Sequence, residues 1–430
     1  MTPRRHRRHR HLAIVAAIAI VMVACGGTAT PGPTGTAPTA TPGGPGETGT
    51  PPTGPTATPT VSGGPPATAT PAGTLQPMTP LPVEVLLFER AVSASPRLVH
   101  LYALDLRTGE SRLFTDFPAE GQTGATVWGV DISPDRRWVV FAALFRPSLD
   151  DFVNATGSEI VWLVGSDGET FVRLSPPTPD LGATWTTCSQ DPDCPDAQFC
   201  GSEGYCRLTF QTYEVTDPSW SPDGSGVVYA IGQYRSVGGS TVGGATLAAL
   251  PISGGIPELF GVGDVDCGQV TDPAVSPAGG ALVAHASLCA EPTVDGIYAW
   301  DLATRQARLL VESSITTLYL PLATPAWLPD GSGFLFLAKD NFTDGRGGTF
   351  QGIGVFVYDV ASGQNGAIIP PLAPGIDAES VAVSPDGTAV AVCFTSPANG
   401  AADIYVGSLA ETPIRLAPLT SDGASCHPAW

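Results

Sequence analysis

Short hydrophobic runs alternate with polar turns along most of the chain after residue 82. Around Ser221 the order is a short strand ending at Trp220, a Ser-Pro-Asp-Gly turn, and the apolar runs 226–231, 244–250 and 256–260. Runs of this length, bounded by Gly and Pro, predict β-strands. The pattern therefore predicts an all-β fold built from units of four short strands.

The turn between the first two strands of a unit is an internal repeat. Ser-Pro-Asp-Gly or a close variant begins at Ser133, Ser221, Ser276, Leu328 and Ser384. Proline presets the backbone of a type I turn, aspartate accepts hydrogen bonds from nearby amides, and glycine adopts the left-handed conformation that closes the hairpin. The motif needs no catalytic explanation, and its spacing is typical of a β-propeller.

The two ends of the repeating region complete one another. The chain ends at His427-Pro-Ala-Trp430, which matches the innermost strands at Asp217 and Thr324 but lacks the three strands that should follow. The runs 83–88, 98–106 and 110–114 have the character of those three strands. We therefore predict a six-bladed β-propeller closed by pairing of the C-terminal strand with the N-terminal blade, which hides the sheet edges.

Residues 1–24 have the layout of a secretory signal. Five arginines precede the apolar run 12–24, which is too short to span a bilayer comfortably. The sequence Met22-Val-Ala-Cys25 resembles the lipobox of bacterial lipoproteins, with Met22 in place of the usual leucine. The resemblance implies lipid attachment at Cys25 and a location outside the cytoplasm, at the cell surface or in the periplasm. The alternative is an ordinary signal peptide that happens to contain a cysteine.

Residues 25–82 consist almost wholly of Thr, Pro, Gly and Ala, and Glu47 is their only charge. Such a segment has no apolar surface to offset the entropy of ordering, so we expect a disordered tether between the signal and a propeller over 83–430. The formal net charge is −20, and removal of the signal leaves 15 basic residues against 40 acidic ones. Nucleic acid is therefore a poor partner, and membrane contact should come through the lipid on Cys25.

The phrase Pro-Ser-Trp-Ser-Pro-Asp-Gly at 218–224 resembles the repeats of the TolB-type propeller family, and the resemblance covers residues 83–430. It implies a six-bladed propeller, which in many members is a protein-binding platform in the bacterial envelope. The chain departs from TolB itself, because a lipobox and tether stand where that protein has an α/β domain. A role in the Tol system is therefore not implied.

Loop lengths distinguish the two faces of the predicted propeller. The Pro-Asp-Gly turns and the short turns before each fourth strand share one face, here called the turn face. The longer connections share the opposite, long-loop face, and binding residues favour loops on a rigid scaffold. For any single loop, tolerated length is the simpler explanation. The candidate binding residues on the long-loop face are Asp150, Asp151, Tyr234, Arg235, Lys339, Asp340, Asp344 and Arg346.

Eight cysteines beyond Cys25 are predicted to form disulfides, because export favours oxidation. Four of them are evenly spaced in an insertion over 175–216, and their three pairings remain open. Zinc is the alternative there, although gaps of five residues differ from the usual Cys-x-x-Cys pairs. By strand register, the other four should meet as two pairs on the long-loop face. The insertion holds Cys188, Cys194, Cys200 and Cys206, and the two pairs are Cys267 with Cys289 and Cys393 with Cys426.

Alignment of the innermost strands places six residues at equivalent positions around the channel mouth. Two carboxylates and an imidazole there are able to hold a cation or act in acid–base chemistry. Asp272 and His427 should lie on opposite sides, too far apart for one compact metal shell, and an aspartate before proline is more often a turn cap. The six residues are Gly129, Asp217, Asp272, Thr324, Ser380 and His427.

No Gly-x-Ser-x-Gly, His-Glu-x-x-His, phosphate-loop or dinucleotide motif occurs in the sequence. We therefore predict a lipid-anchored, extracytoplasmic propeller that binds a protein or an envelope ligand, without a cofactor, a metal or catalytic residues. The alternative is a propeller hydrolase or lyase acting on a glycan or peptide, with a cation such as calcium or an acid cluster in the channel around Asp217 and Asp272.

Overall fold

The computed structural model describes residues 75–94, 97–115, 126–145, 158–174, 198–200, 206–208, 211–237, 240–254, 257–260, 265, 267–290, 292–313, 324–343, 347–396 and 398–430. The chain divides into two compact segments, Met1–Gly63 and Gly64–Trp430. Every described residue lies in the second segment. The signal, Cys25, Cys188, Cys194, Asp150, Asp151, Asp344 and Arg346 lie outside the described residues.

The described residues form β-strands and no helix, which confirms the all-β prediction. No helix that could cross a membrane is found among them. The strands are β1 (Val85–Ala94), β2 (Arg97–Asp105), β3 (Glu110–Thr115), β4 (Thr126–Ile132), β5 (Trp138–Phe145), β6 (Ser158–Gly165), β7 (Phe171–Arg173), β8 (Gln198–Cys200), β9 (Cys206–Leu208), β10 (Gln211–Trp220), β11 (Gly226–Val237), β12 (Ser240–Pro251), β13 (Glu258–Phe260), β14 (Cys267–Val275), β15 (Ala281–Cys289), β16 (Gly296–Asp301), β17 (Ala307–Glu312), β18 (Ala326–Trp327), β19 (Gly333–Thr343), β20 (Thr349–Asp359), β21 (Gln364–Ile369), β22 (Asp377–Val383), β23 (Ala389–Ser396), β24 (Ala401–Ser408), β25 (Leu416–Pro418) and β26 (Ser425–Ala429).

Antiparallel neighbours group these strands into four-stranded units. Three units are separate sheets, in the orders β26-β1-β2-β3, β18-β19-β20-β21 and β22-β23-β24-β25. The units β4–β7, β10–β13 and β14–β17 are joined into one 12-stranded sheet. We number the units 1 to 6 in chain order. Unit 1 contains β1–β3 and the C-terminal strand β26, unit 2 contains β4–β7 and unit 3 contains β10–β13. Unit 4 contains β14–β17, unit 5 contains β18–β21 and unit 6 contains β22–β25. The insertion adds the hairpin β8–β9.

Single parallel contacts join three pairs of consecutive units, at the end of the first strand where the long loops begin. Tyr213 of β10 pairs with Ser158 of β6, and Gln269 of β14 pairs with Ala245 of β12. An isolated bridge between Ala402 and Ala424 repeats this contact between units 6 and 1. In each case the third strand of one unit meets the chain entering the first strand of the next.

The apolar core lies between consecutive units. Successive side chains of a strand point to opposite faces of its sheet, so each unit buries one set against the unit before it and another against the unit after it. In β1, Leu87 packs with Val139 and Phe141 of unit 2, whereas Leu86 and Phe88 pack with unit 6. Both faces of the unit are therefore covered, which explains continuous apolar runs in place of strict alternation.

The repeated turns satisfy their own polar groups. The Ser221 hydroxyl donates to Asp223 Oδ1 at 2.7 Å and accepts from the Gly226 amide at 3.0 Å, while Asp223 Oδ1 also accepts from the Ser225 amide. Gly224 follows at φ 69°. The turn at Ser384 repeats this arrangement. The motif is therefore a local hydrogen-bonded cap on a tight hairpin.

Two of the recurring tryptophans at the ends of the first strands donate an indole N–H hydrogen bond to a backbone carbonyl of the preceding unit. Trp220 Nε1 donates to the Asp131 carbonyl of unit 2, and Trp327 Nε1 donates to the Ala274 carbonyl of unit 4 at 3.0 Å. An indole combines a large apolar surface with one donor that needs a partner when buried. These residues therefore serve packing between units.

Residues 75–82, which we expected within the tether, pack on the turn face of unit 2. Leu81 is buried in the core between units 1 and 2. At its turn, unit 2 carries Arg136 where the other repeats have glycine, and Arg136 adopts φ 58°. Its guanidinium donates to the carbonyls of Leu81, Pro82 and Val85 at 2.8–3.0 Å. These bonds attach the N-terminal segment to the turn face.

Candidate functional site: the channel ring

The structure brings the six aligned first-strand residues together as the lining of one cavity of roughly 460 Å³. We call these six positions the channel ring. In five of the six units the pairing register shifts next to the ring residue, as between Thr216 and Ser219 or between Thr271 and Ala274. Such bulges re-aim a side chain without ending the strand. The ring consists of Gly129, Asp217, Asp272, Thr324, Ser380 and His427.

Four side-chain-bearing ring residues occupy the left-handed backbone region. Asp217, Asp272, Thr324 and His427 have φ of 51°, 53°, 33° and 47°. For residues with a Cβ this conformation costs about 1–3 kcal/mol, and it is least common for β-branched residues such as threonine. Proline follows each of the four in the sequence. The fold therefore holds these side chains at the cavity against a local backbone preference.

Glycine is required at the fifth left-handed position, Gly129. A Cβ there would lie 2.7 Å from the Asp217 amide nitrogen and 2.9 Å from Pro218 Cδ. The inner strands of units 2 and 3 therefore approach one another at backbone distance at this point.

Acidic residues dominate the charged lining of the cavity. Asp131, Asp217 and Asp272 contribute carboxyl groups, His427 contributes an imidazole, and no Lys or Arg is among the lining residues. Burial raises the pKa of Asp217 to about 7, and the nearby Asp272 adds to the rise. Burial likewise raises the pKa of Asp272, although its Oδ2 accepts a hydrogen bond from Thr271 Oγ1 at 2.9 Å. Two neighbouring buried carboxyl groups that resist joint ionisation hold a proton near neutral pH.

Asp131 is a third carboxyl group in this lining and is half-buried. Burial raises its pKa to about 6 against the effect of two amide donors, Trp220 N at 2.8 Å and Ile132 N at 2.9 Å. Both of its oxygens are thus occupied by protein donors. Asp131 therefore joins units 2 and 3, whereas Asp217 and Asp272 are the acids that face the cavity.

His427 is held by two glutamates that the sequence analysis missed. Its Nδ1 lies 2.9 Å from Glu89 Oε2 in β1, and its Nε2 lies 3.8 Å from Glu379 Oε1 in β22. Burial alone would lower the pKa of His427, but the charge and hydrogen bond of Glu89, together with Glu379 and Asp217, raise it to about 9. The imidazolium at neutral pH therefore bridges the first and last units.

The sequence contains a signal for each of the two glutamates. Glu89 interrupts the apolar run of β1 and is only 4% exposed, so it is a charged residue in the middle of a buried strand. Glu379 directly precedes the ring residue Ser380. Buried charges are rare unless paired, which makes an acid inside an apolar strand the signal to follow.

A compact metal site needs several ligand atoms close to one another. Within the described part of the chain, the group of three potential ligands whose ligand atoms lie within 4.8 Å of one another is Glu379, Cys393 and Cys426. Both cysteines are in a disulfide, so they offer no thiolate. Asp217, Asp272 and His427 are not such a group among the described residues.

Two disulfides join the pairs expected from the strand register. Cys267 is bonded to Cys289 at the long-loop end of unit 4, and Cys393 is bonded to Cys426, which links unit 6 to β26. The second bridge lies directly beside His427 in sequence. In the insertion, Cys200 and Cys206 occupy opposite positions of the β8–β9 hairpin.

A two-stranded arm on the long-loop side contains two of the expected binding residues. β19 and β20 pair from Gly333 opposite Asp359 to Thr343 opposite Thr349, whereas β18 pairs only with Phe334 and Leu335. We call residues 339–343 and 349–353 the arm. It includes Lys339 and Asp340, which are half-buried. Tyr234 and Arg235 lie in the corresponding extension of the β11–β12 hairpin.

Aromatic packing and a hydrogen bond to unit 6 hold the arm. Phe342 packs against Phe350 and Phe356, with ring centroids 6.3 and 6.4 Å apart. The Ile353 amide donates to Asp377 Oδ1 at 2.9 Å, which attaches the arm to unit 6. Asn341, Thr343, Thr349 and Gln351 remain exposed. The arm therefore presents polar side chains on a packed and hydrogen-bonded hairpin.

No protein-family model matches the chain, and no curated protein is significantly similar to it. Similar solved structures include an oligogalacturonate lyase in complex with manganese (13% identity, 75% of this chain, 71% of that chain, TM-score 0.42). They also include TolB from Acinetobacter baumannii (14% identity, 77% and 78%, TM-score 0.31). A third is the β-propeller domain of the Trilobed protease from Pyrococcus furiosus (10% identity, 81% and 97%, TM-score 0.41). Identities and scores this low carry no argument about activity, ligands or partners.

Proposed function

We propose that the chain is a lipid-anchored, extracytoplasmic β-propeller of six blades that binds a protein or another envelope ligand through its long-loop face, without catalysing a reaction. The arm carries this proposal. It is a paired, anchored hairpin that extends beyond its unit and presents exposed polar residues, which is the form of a recognition element on a rigid scaffold.

Ring closure is supported by the packing of consecutive units. Each core cluster joins one unit to the next, and the cluster of Leu86 and Phe88 with Ala391 and Ile404 joins unit 1 to unit 6. The C-terminal strand β26 pairs with β1, with Leu87 opposite Ala429. A closed ring of six blades accounts for both observations.

Residues 75–82 are hydrogen-bonded to the turn face. Arg137 Nε donates to the Met78 carbonyl at 2.9 Å, and the Ser166 hydroxyl donates to the Thr79 carbonyl. Both donors belong to turns on the turn face. The described N-terminal segment therefore lies against the turn face, away from the arm. Replacement of Cys25 by alanine should release the protein from the membrane fraction.

Site-specific photo-crosslinking tests the ligand-binding face. A benzophenone amino acid at Gln351 in the arm is compared with the same residue at Glu411, which is also exposed but lies between β24 and β25 on the turn face. In cells that make the full chain, we expect a discrete crosslinked product from position 351 and none from position 411. Equal products at both positions, or none at either, would contradict binding through the long-loop face.

One observation favours a second candidate function. The paired Asp217 and Asp272 hold a proton near neutral pH at the wall of a cavity, which suits a general acid in a hydrolase or lyase. Turnover of oligosaccharide or peptide substrates that is lost in both Asp217→Asn and Asp272→Asn would favour this candidate. Turnover that survives both changes would exclude these two residues as its acids.

A further inference from the structure

The second strand of unit 5 extends far beyond its first strand. β18 pairs with β19 only at Phe334 and Leu335, whereas β19 continues to Thr343. In unit 3, β10 stays paired with β11 as far as Arg235, and in unit 4 β14 stays paired with β15 as far as Cys289. The inner edge of β19, on the side of the first strand, therefore has no paired strand beyond Leu335 among the described residues.

Two hydrogen bonds show which backbone groups of β19 point towards this edge. The Leu328 amide donates to the Gly333 carbonyl from the first-strand side, and the Val360 amide donates to the Ser332 carbonyl from the β20 side, both at 2.9 Å. Successive residues of a paired strand direct their N–H and C=O groups to opposite sides, so the odd-numbered residues of β19 face the inner edge. We call the backbone groups of those odd-numbered residues that lie in the arm the arm edge. They belong to Lys339, Asn341 and Thr343.

The arm edge lies in the exposed part of β19. Leu337 and Ala338 are fully buried, whereas Asn341 and Thr343 are exposed. The Asn341 amide donates to Asp340 Oδ1 at 2.7 Å, and within the described part of the chain no other hydrogen bond reaches the arm edge. An exposed strand edge with unpaired N–H and C=O groups is a template for pairing with another strand.

The opposite edge of the arm, along β20, is partly occupied by the chain that enters unit 6. The Ile353 amide donates to Asp377 Oδ1 at 2.9 Å. At Gly352 an added Cβ would lie 2.6 Å from Pro371 Cγ, so Pro371 lies against this side of the hairpin. The two edges of the arm therefore differ, and the inner edge is the more open one.

Lys339 adds a positive charge beside the arm edge. It is the only lysine in a chain of formal net charge −20. It is half-buried, and no described residue forms an ion pair or a side-chain hydrogen bond with its ammonium group. Side chains directly opposite each other on neighbouring strands lie about 5 Å apart, so an acidic residue of an added strand would reach this group.

We propose that the arm edge binds an extended peptide segment of a partner protein, which adds to β19 as a further β-strand and places an acidic residue opposite Lys339. The backbone groups provide affinity that depends little on sequence, and Lys339 selects the acidic side chain. This inference rests on the proposed function, because it names the kind of partner that the long-loop face takes.

Binding of short peptides to the purified full chain tests the proposal. The probe is the dye-labelled peptide Thr-Val-Thr-Glu-Thr-Val-Thr, and the comparison peptides carry either Lys in place of Glu or a methyl group on every backbone amide. We expect fluorescence anisotropy to show one site per chain for the Glu peptide and at least tenfold weaker binding of the Lys peptide. The methylated peptide should not bind at the same concentrations, because it lacks the N–H donors of a strand.

A matched pair of variants distinguishes the two edges of the arm. Thr343 and Thr349 lie opposite each other, both are exposed, and proline at either position spares the hydrogen bonds between β19 and β20. Thr343→Pro removes a donor from the arm edge and should weaken the Glu peptide by about tenfold or more. Thr349→Pro makes the same change on the opposite edge and should leave affinity unchanged. A melting curve for each variant checks that it folds.

The charge of Lys339 is tested separately. Lys339→Gln should remove the preference for the Glu peptide over the Lys peptide, because it removes the ammonium group and keeps the backbone of the arm edge. A preference that persists in this variant would contradict the assigned role of Lys339.

Three further results would overturn the proposal. They are equal binding of the methylated peptide, equal effects of Thr343→Pro and Thr349→Pro, and no binding of the Glu peptide to the folded wild type. The last result is expected if another segment of this chain or a second copy occupies the edge, and a dimer in analytical ultracentrifugation would identify the second copy. A crosslinked product from Gln351 in cells without peptide binding would overturn the arm edge alone, whereas loss of that product would contradict the proposed function itself.

Discussion

Asp217 in the channel ring and Asp223 on the turn face are six residues apart, but their surroundings shift the pKa of the carboxyl group in opposite directions. Asp223, in a repeated turn, accepts bonds from the Ser221 hydroxyl and from the Ser225 hydroxyl and amide, which lower its pKa to about 2. Burial and Asp272 raise the pKa of Asp217 to about 7. The repeat motif supplies partners for its own acid, whereas the ring leaves its acids without enough donors. Asp223 therefore stabilises its turn in the ionised form, whereas ionisation of Asp217 is energetically costly.

The two regions respond to pH in opposite ways. A turn aspartate with a lowered pKa contributes stability that is complete above its ordinary pKa of 3.8 and is lost as the pH falls through about 2. Asp217 contributes stability that is complete below pH 3.8 and is lost as the pH rises through about 7. His427 contributes stability below pH 6.5 that is lost as the pH rises through about 9. These groups together place maximum stability on the acidic side of neutrality.

The largest effect is expected where the ring joins the two ends of the chain. Glu89→Ala at pH 6 removes the partner of a charged, mostly buried His427 and leaves a void in β1. We expect a loss of about 3 kcal/mol in the free energy of unfolding, at the lower end for a broken buried pair because a third of His427 is exposed to water. Urea unfolding measures it.

Glu89→Gln is the matched control for that change. It keeps an oxygen near His427 Nδ1 and should retain more of the stability than Glu89→Ala does. An equal loss in the two variants would mean that packing at this position, and not the interaction with His427, stabilises the junction of units 1 and 6.

A smaller effect of opposite sign is expected inside the ring. Asp217→Asn removes an acid that is costly to ionise, so at pH 8 it should raise the free energy of unfolding by about 2 kcal/mol and flatten its decline between pH 4 and 7. Asp223→Asn, the control in the turn, should not stabilise the protein at pH 8. A destabilised Asp217→Asn at pH 8 would show that the ionised carboxylate has a stabilising partner.

Substitutions of Arg136 test how the turn face holds the N-terminal segment. Both Arg136→Ala and Arg136→Gly remove three hydrogen bonds to the N-terminal segment, and we expect each to destabilise the protein by about 1–3 kcal/mol. Glycine should be the milder change by about 1 kcal/mol, because it adopts the left-handed conformation at this position without strain. Equal stabilities of the two variants by urea unfolding would contradict a strained backbone at Arg136.

The smallest effect is expected for a single turn acid. Asp386→Ala removes bonds from the Ser384 hydroxyl and from the Thr388 amide and hydroxyl. The two bonds from Thr388 are exposed to water, whereas the bond from Ser384 is half-buried. We expect the melting temperature to fall by about 1–3 °C at pH 7. The difference from wild type should shrink as the pH falls below 3.8, because the wild-type carboxylate, whose pKa these hydrogen bonds lower, is then progressively protonated. A difference that grows towards pH 2 would contradict the local-cap explanation.

The sequence predicted the features that recur and missed those that occur once. The turn motif marks the unit boundaries, and the alignment of inner strands brought Asp217, Asp272, Thr324, Ser380 and His427 to one cavity, as the structure shows. A repeated position can be found by comparing copies within one chain. The pairs Cys267–Cys289 and Cys393–Cys426 followed from the same register.

Glu89 and Glu379 were missed because an acid occurs at each of these positions in only one unit. Glu89 contacts His427 across 338 residues of sequence, and Glu379 approaches the same imidazole from β22, which local patterns do not reveal. Residues 75–82 were assigned to the tether on composition, yet Arg136 supplies the hydrogen bonds that hold them. Arg136 in a glycine position was the available signal for that contact.

Carbon-detected NMR titration of the chain labelled at aspartate carboxyl groups tests the contrast between turn and ring most directly. Asp217 and Asp223 are assigned from their Asn variants. We expect Asp217 to titrate near pH 7 and Asp223 to remain ionised to about pH 2. Titration of both groups near pH 4 would show that the ring carboxyl group is hydrated or paired like a surface aspartate, and would contradict this account of the channel ring.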